Sequence, residues 1–469
     1  MSRVRRVAVI GLTALTLPGV CLLTGSGGVA SATTTGTPFT FTNFEPAGLS
    51  SFGLTEGGGS VGTKCPGAGP SKCYNIAAEP AIRADQKGNF YASSENGLGA
   101  GTEAWKSTDG GRHYVTLPSP DAGSQTNSTG FAPGGGDTDL AVGDDTNSKG
   151  YVPVHVASLS LANVDVANSQ DGGKTFQLTP ISAHLAGDDR EWIAADDSHQ
   201  SAVGLPLEGG DKVCISYHDT VQNISVDCSY DGGTTFTQAA APGAIDANHA
   251  FLVANNEIGN LAIARDTFEG DGTNGNHNIY QVFSGPKNLA GTTACGTAGT
   301  CYNAVWIGVS KDGGLTFTDH LVHASNNINT SYGHQFVNVS IDRKGNIYVV
   351  YTDDHNMYYS YSRNQGSTWH GPYRINVSPA NTAIFPWSVA GDAGKIDIVY
   401  YGTAYYRSGT TPDNYPATAA WHVYMAQNTN VFANPTGFVQ QVASPVNHYG
   451  GVCESGISCT GNRDLYDDF

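Results

Sequence analysis

Three carboxylates stand where a chain of alternating strands would begin its successive sheets: Glu79 in AEPAIRAD, Asp139 in DTDLAV and Glu191 in REWIAADD. Two such groups facing each other across a sugar could cleave a glycosidic bond, one as acid and one as base or nucleophile. A separation of ~6.5–9.5 Å would give inversion and ~5–5.5 Å retention. Groups suited to holding a ligand occur at equivalent places: Arg190, His218, His249, Arg265, His334 and Asp353. A guanidinium fork grips carboxylates in two-pronged fashion, and imidazoles serve as donor or acceptor. Plainer roles compete with these. Asp219, Asp266 and Asp354 recur at similar positions, as strand-end caps would, and Arg190 in GDDREW has Asp188 and Asp189 beside it as ion-pair partners. The chain has no P-loop, no dinucleotide glycine pattern, no H-E-x-x-H and no G-x-S-x-G. EGDGTNGNHN (269–278) sets Asp271, Asn274 and Asn276 in a row but lacks the distant bidentate Glu of a calcium loop, so it reads as a polar loop. No cofactor is called for. Calcium would suit so acidic a surface, with no ligands assignable.

What could bring these residues together is a repeat. SQDGGKTF (169–176) recurs as STDGGRHY (107–114), SYDGGTTF (229–236), SKDGGLTF (310–317) and, altered, SRNQGSTW (362–369). The key positions are Asp109, Asp171, Asp231, Asp312 and Asn364. Before each copy lie strand-like alternating runs, such as REWIAADD, KVCISYHD and ISVDCS, and one more follows. Four-stranded antiparallel units repeated at this period are propeller blades. The eight residues suit a tight turn between third and fourth strands: the Asp accepts backbone N–H bonds, glycine supplies positive φ, and the aromatic packs between sheets. The pattern therefore reads as scaffolding.

The expected fold is all-β, a six- or seven-bladed β-propeller with blades near 75–118, 137–180, 187–240, 245–322, 332–376 and 381–442. The sixth has a decayed turn motif around Asn428. NRDLYDDF then resembles the start of another first strand, a partial blade from about 459. Either that blade is incomplete at Phe469 or the early strand FTFTNF (39–44) in the N-terminal extension, 33–74, joins it to close the ring. If the repeated turns mark the lower face, the upper face receives the starts of innermost strands and the ends of second strands. Glu79, Asp139, Arg190, Glu191, His249, His334, Arg463 and Asp464 would come from the first set, and His155, His218, Asp219, Arg265, Asp266, Asp353, Asp354 and Tyr401 from the second. A pocket on the axis ringed by these is the expected ligand site.

Ser-x-Asp-x-Gly-x-Thr-Phe/Trp in five spaced copies resembles the Asp-box, or BNR repeat, of the sialidase-like propellers, over residues 75 to about 442. The resemblance implies boxes on the face opposite the active site, and it fixes a fold more firmly than an activity. In that family an arginine of a Tyr-Arg-Ile-Pro motif on the first innermost strand helps clamp the substrate carboxylate. The matching stretch here is Ala78-Glu79-Pro80 followed by AIRADQKGNFYA, with Ala78 where the arginine would stand. That departure points away from sialidase chemistry. A Tyr nucleophile would come from the late set Tyr400, Tyr401, Tyr405 and Tyr406, and Asp137 or Asp139 would stand in for the acid.

The ends and the composition set the compartment. Arg3, Arg5 and Arg6, an apolar run and Ala30-Ser31-Ala32 form a secretory signal peptide, 1–32. Its removal leaves 20 basic residues against 41 acidic ones, a poor surface for nucleic acid or anionic membrane. No later stretch reaches the ~20 apolar residues of a membrane span. Eight cysteines remain in close pairs, Cys65/Cys73, Cys214/Cys228, Cys295/Cys301 and Cys453/Cys459, which in an exported chain favours disulfides over metal. Cys214 and Cys228 sit symmetrically about Val221, as cross-strand partners would. The expectation is a secreted, extracellular, monomeric propeller that binds a carbohydrate or cell-surface glycan. The alternative is an exo-α-sialidase or other glycoside hydrolase acting at the upper pocket.

Overall fold

The computed structural model describes residues 39–43, 55–56, 60–61, 78–95, 101–121, 134–143, 146–160, 163–181, 189–196, 211–218, 223–238, 243–264, 277–295 and 300–453. After a short ladder of β1 (Thr55–Glu56) and β2 (Ser60–Val61), six antiparallel sheets follow, each from consecutive strands. Blade 1 comprises β3 (Ala78–Ala84), β4 (Phe90–Glu95), β5 (Glu103–Ser107) and β6 (Val115–Thr116). Blade 2 comprises β7 (Thr138–Val142), β8 (Val154–Leu159), β9 (Val164–Ser169) and β10 (Gln177–Pro180). Blade 3 has β11 (Asp189–Asp196), β12 (Lys212–His218), β13 (Ile224–Ser229) and β14 (Thr237–Gln238). Blade 4 has β15 (Glu257–Ile263), β16 (Ile279–Gly285), β17 (Ala304–Ser310) and β18 (Thr318–Ala324). Blade 5 has β19 (Asn338–Ile341), β20 (Ile347–Thr352), β21 (Met357–Ser362) and β22 (His370–Arg374). Blade 6 has β23 (Thr382–Ala390), β24 (Ile396–Thr403), β25 (Ala420–Asn428) and β26 (Val439–Val442), with β27 (His448–Tyr449) added to β25. This is a six-bladed β-propeller.

Strand alternation builds the layers between blades. In blade 2, Val154, Val156 and Ala167 pack with Tyr91 and Ala81 of blade 1, while Val164 and Val166 pack with Ile193, Val213 and Ile215 of blade 3. Similar apolar layers join blades 3 and 4, 4 and 5, and 5 and 6. Each fully buried Val or Ile contributes about 1.5–3 kcal/mol. Among the described residues blades 6 and 1 share no such layer, and there the Arg83 guanidinium sits 4.8 Å over the Trp387 ring.

The repeated turns do what their composition predicts, and more. In blade 2, Asp171 Oδ1 accepts the N–H groups of Lys174 (3.0 Å) and Thr175 (2.9 Å), and Ser169 Oγ donates to it (2.8 Å). Asp109, Asp231, Asp312 and Asn364 make corresponding bonds. The glycines also present carbonyls to the preceding blade. Lys106 of blade 1 donates to Gly172 O, Asn168 of blade 2 to Gly233 O, and the Tyr230 hydroxyl of blade 3 to Gly313 O. Gly233 has φ of +85°, and a Cβ there would lie 2.0 Å from Asn168 Oδ1, so only glycine fits this staple. Where blade 6 has lost the motif, Pro435 O accepts from Tyr359 of blade 5 and Phe432 lies under Arg363.

Blade 4 departs from the sequence-based strand assignment. HAFLVANN is not its innermost strand: the Asp246 carboxylate accepts the N–H groups of Asn248 and His249 and caps a 3₁₀ helix, Ala247–Leu252. The innermost strand is β15, where Gly259 lets the backbone of Val337 approach, since a Cβ would sit 2.2 Å from Val337 O. Residues 39–43 of FTFTNF carry no strand. Cys214 pairs with Cys228 directly across β12 and β13, and Cys295 with Cys301. Cys65, Cys73, Cys459 and the partial blade from about 459 lie outside the described residues.

Candidate functional site

The innermost strands meet around a ring of aromatic side chains. Trp192 of β11 stacks on Trp387 of β23 with centroids 5.7 Å apart, and Phe336, two residues before β19, meets Trp192 edge-on at 5.7 Å. Each tryptophan carries an arginine: Arg190 lies 4.1 Å over Trp192 and Arg83 covers Trp387. Cation–π pairs of this kind hold guanidinium groups that would otherwise need water. Both arginines also face acids. Arg83 Nη2 is 2.8 Å from Asp139 Oδ1 and Arg190 Nη1 is 3.5 Å from Asp137 Oδ2. One partner of Arg190 is thus an aspartate of blade 2, and blade-to-blade packing at the hub sets this pair; the side chains of Asp188 and Asp189 lie outside the described residues.

Trp192, Phe336, Phe385, Pro386 and Trp387 line a small recess of about 10 Å³, room for roughly one water. Blades 5 and 6 supply further aromatic and imidazole groups, one of them packed on a lining residue. Phe385 meets the half-buried Tyr401 edge-on at 6.4 Å. His355 meets the exposed Tyr406 at 4.9 Å and shares a hydrogen bond of 3.1 Å with the Tyr415 hydroxyl. His334 Nδ1 lies 2.6 Å from Asp354 Oδ2. Burial raises the Tyr415 hydroxyl to about 12, so it stays protonated. Backbone strain gathers here as well: Arg190, Asp354 and Phe385 all have positive φ, of 48°, 71° and 50°.

The two candidate carboxylates whose side chains are described, Asp139 and Glu191, are both buried. Asp139 is consumed as a joint: Oδ1 takes Arg83 and the Leu140 N–H, Oδ2 the Ile193 N–H, binding blades 1, 2 and 3. Burial raises its pKa against the pull of Arg83. Glu191 is fully sealed, and neither oxygen meets a donor from another described residue. Burial, with Asp137 adding to it, pushes its carboxyl well above the usual range. Glu79 falls in β3, in the irregular stretch between Ala78 and Ala81; its side chain lies outside the described residues.

The other predicted ligands scatter. His334 stands at the mouth, half exposed. His218 ends β12 as expected but is buried against Asn256 at 2.6 Å, joining blades 3 and 4. His249 sits on the 3₁₀ helix against Trp306 of the third strand, away from the hub, because the capped helix replaced the expected strand. His155 begins β8 rather than ending it and binds Asn168 and Asp211. Asp353 is a turn cap, accepting the N–H groups of His355 and Asn356. Arg265, Asp219, Asp266, Arg463 and Asp464 lie outside the described residues. Sequence reasoning missed Trp192, Phe336, Phe385, Trp387 and His355. An aromatic at or near the start of an innermost strand, as in REW, HQF and FPW, was the available signal.

No protein-family model and no curated protein matches this chain. Among solved structures it is similar to an α-L-arabinofuranosidase of Fusarium graminearum, at 16% identity over 70% of this chain and 88% of that one, with a TM-score of 0.46. It is also similar to a xyloglucanase of Xanthomonas campestris (12% identity, 86% of this chain, 47% of that one, TM-score 0.45). A third is the fucose-specific lectin of Aleuria aurantia (11% identity, 79% and 96%, TM-score 0.42).

Proposed function

We propose that this chain is an exported, monomeric carbohydrate-binding propeller that takes neutral sugar rings at the upper mouth of the hub, between blades 3, 5 and 6. The observation that carries this is a cluster of aromatic and imidazole groups: Phe336, Phe385 and Trp387 around a small recess, Tyr401 packed on Phe385, and the exposed Tyr406 against His355. Aromatic faces stack on the apolar faces of sugar rings, while imidazole, hydroxyl and carboxylate groups at the rim satisfy hydroxyls. Neutral sugars are favoured because Arg83 and Arg190 each face an aspartate, so neither is a dedicated clamp for a sugar carboxylate. Binding is favoured over hydrolysis because Asp139 is buried in an interblade joint and Glu191 is enclosed. Two formed disulfides accord with an oxidising compartment, and no described helix is long and apolar enough to cross a membrane.

The test is a glycan array carrying neutral and sialylated oligosaccharides, followed by titration calorimetry on the best ligand with the full chain and Tyr406→Ala. Neutral glycans bind, Tyr406→Ala weakens binding by about tenfold, or ~1.4 kcal/mol, and methylumbelliferyl glycosides are not turned over. Release of methylumbelliferone from any of them would overturn the non-catalytic assignment. Exclusive binding of sialylated glycans would overturn the neutral one.

A further inference from the structure

A second polar site lies between blades 1 and 2, away from the hub. Strand register places Ser158 of β8 opposite Asp165 of β9, on the face that Val154, Val156 and Ala167 turn toward blade 1. Blade 1 answers with Thr102, just before β5, and Asp121, beyond β6. Asp121 Oδ1 accepts the Thr102 N–H at 2.7 Å, and Thr102 Oγ1 lies 2.8 Å from Asp121 Oδ2 and 2.7 Å from Ser158 Oγ. The Gly135 N–H reaches Ser158 Oγ at 3.0 Å. Asp121 and Asp165 are each only 1% exposed.

A count of hydrogens shows what is missing. Thr102 and Ser158 supply one hydroxyl hydrogen each. Thr102 Oγ1 donates to Asp121 Oδ2 or to Ser158 Oγ, Ser119 Oγ approaches Asp121 Oδ1 at 3.4 Å, and no hydroxyl of a described residue reaches Asp165. Neither oxygen of Asp165 has a partner among the described residues. Two buried carboxyls thus lie within electrostatic reach of each other, and no lysine or arginine among the described residues is bonded to either. Such an arrangement is costly unless something positive occupies it. The wall is backbone: a Cβ on Gly134 would fall 1.9 Å from Ser158 Oγ and 2.2 Å from Asp121 Oδ2, so the strand-entry loop closes tightly over these oxygens.

We propose that this interblade cluster of oxygens binds a hard divalent cation of the calcium class, held by Asp165 through both oxygens, by Asp121 and by the lone pairs of Ser158 and Thr102. All-oxygen donors with a bidentate carboxylate are the set calcium takes, whereas magnesium demands a tighter octahedron and keeps its waters. The ion ties blade 1 to blade 2 and leaves the glycan mouth untouched.

The test uses the full chain freed of metal by chelation, at pH 7.5. Millimolar calcium raises Tm by several degrees, and calorimetry gives one calcium per chain at a site that magnesium fills poorly. Asp165→Asn, an isosteric change, loses the calcium response and at least about tenfold of the affinity, while its Tm in chelator equals or exceeds that of the wild type. Asp121→Asn, as a second variant, lowers calcium affinity in the same direction. Calcium binding that survives unchanged in both variants, magnesium matching calcium, or no cation-dependent shift in the wild type would each overturn the proposal. In the last case Asp165 is held by a proton.

Discussion

The two faces of the wheel use similar residues to opposite ends. On the lower face, Ser, Asp and paired glycines repeat the same bonds in blade after blade, and each carboxylate is satisfied within its own turn. On the upper face no two blades present the same set: blade 3 offers Arg190, blade 5 His334 and Asp354, blade 6 Phe385 and Tyr406. Of the six described residues outside glycine with positive φ, Arg190, Asp354 and Phe385 fall among these groups, while Gln365 lies in a lower-face turn. Repetition marks the joints of the molecule, and irregularity marks the proposed glycan face.

The contrast can be broken at the hub first. Trp192→Ala removes the ring that supports Trp387, Phe336 and Arg190 together, and should cost about 3–5 kcal/mol in urea unfolding. A loss below 1 kcal/mol would mean the recess has no rigid floor. Gly233→Ala, on the lower face, should cost about 2–3 kcal/mol by straining the backbone and displacing Asn168 from its carbonyl. Glycan affinity, measured in the same samples, should not change.

Titration distinguishes two kinds of aspartate. Burial raises Asp319 to about 7, well above its unfolded 3.8. The folded state therefore keeps a proton that the unfolded chain has released, and this contribution to stability falls as pH rises from about 4 to 7, then levels off. Asp319→Asn should remove that slope from a series of melts. Asp171, Asp231 and Asp312 behave oppositely. Burial pulls each upward, but bonds from Thr175, Thr235 or Thr316 and the turn serines outweigh it and hold the pKa below 3.8. Their contribution is present above about pH 4 and is lost as pH falls through the folded value, so Asp231→Ala should flatten part of the acid arm. The smallest effect on stability belongs to Tyr406→Ala, within about 0.5 kcal/mol. A larger loss there would make Tyr406 a structural residue and remove it from the proposed mouth.

The blades were legible because their signals are local. Alternation gave the strands, the DGG turns gave the hairpins, and the spacing of Cys214 and Cys228 gave a cross-strand bond. Blade 4 was misread where Asp246, a helix-capping residue, turned an apolar run into a 3₁₀ segment. The site was far less legible. Asp139 looks like a catalyst in sequence and becomes a joint only because Arg83 and the Ile193 N–H arrive from two other blades. Likewise nothing in the local pattern tells that Trp192 and Trp387 will stack, since their meeting depends on how six sheets close.

That closure has a cost of its own. Five boundaries between blades are filled with interlocking hydrocarbon, whereas among the described residues no such layer joins the first and last sheets, where a guanidinium rests on an indole. No strand among the described residues is shared across that boundary. Under heat or pulling force the ring should therefore unlatch between Arg83 and Trp387 while individual sheets persist, as a bracelet opens at its clasp before any link gives way.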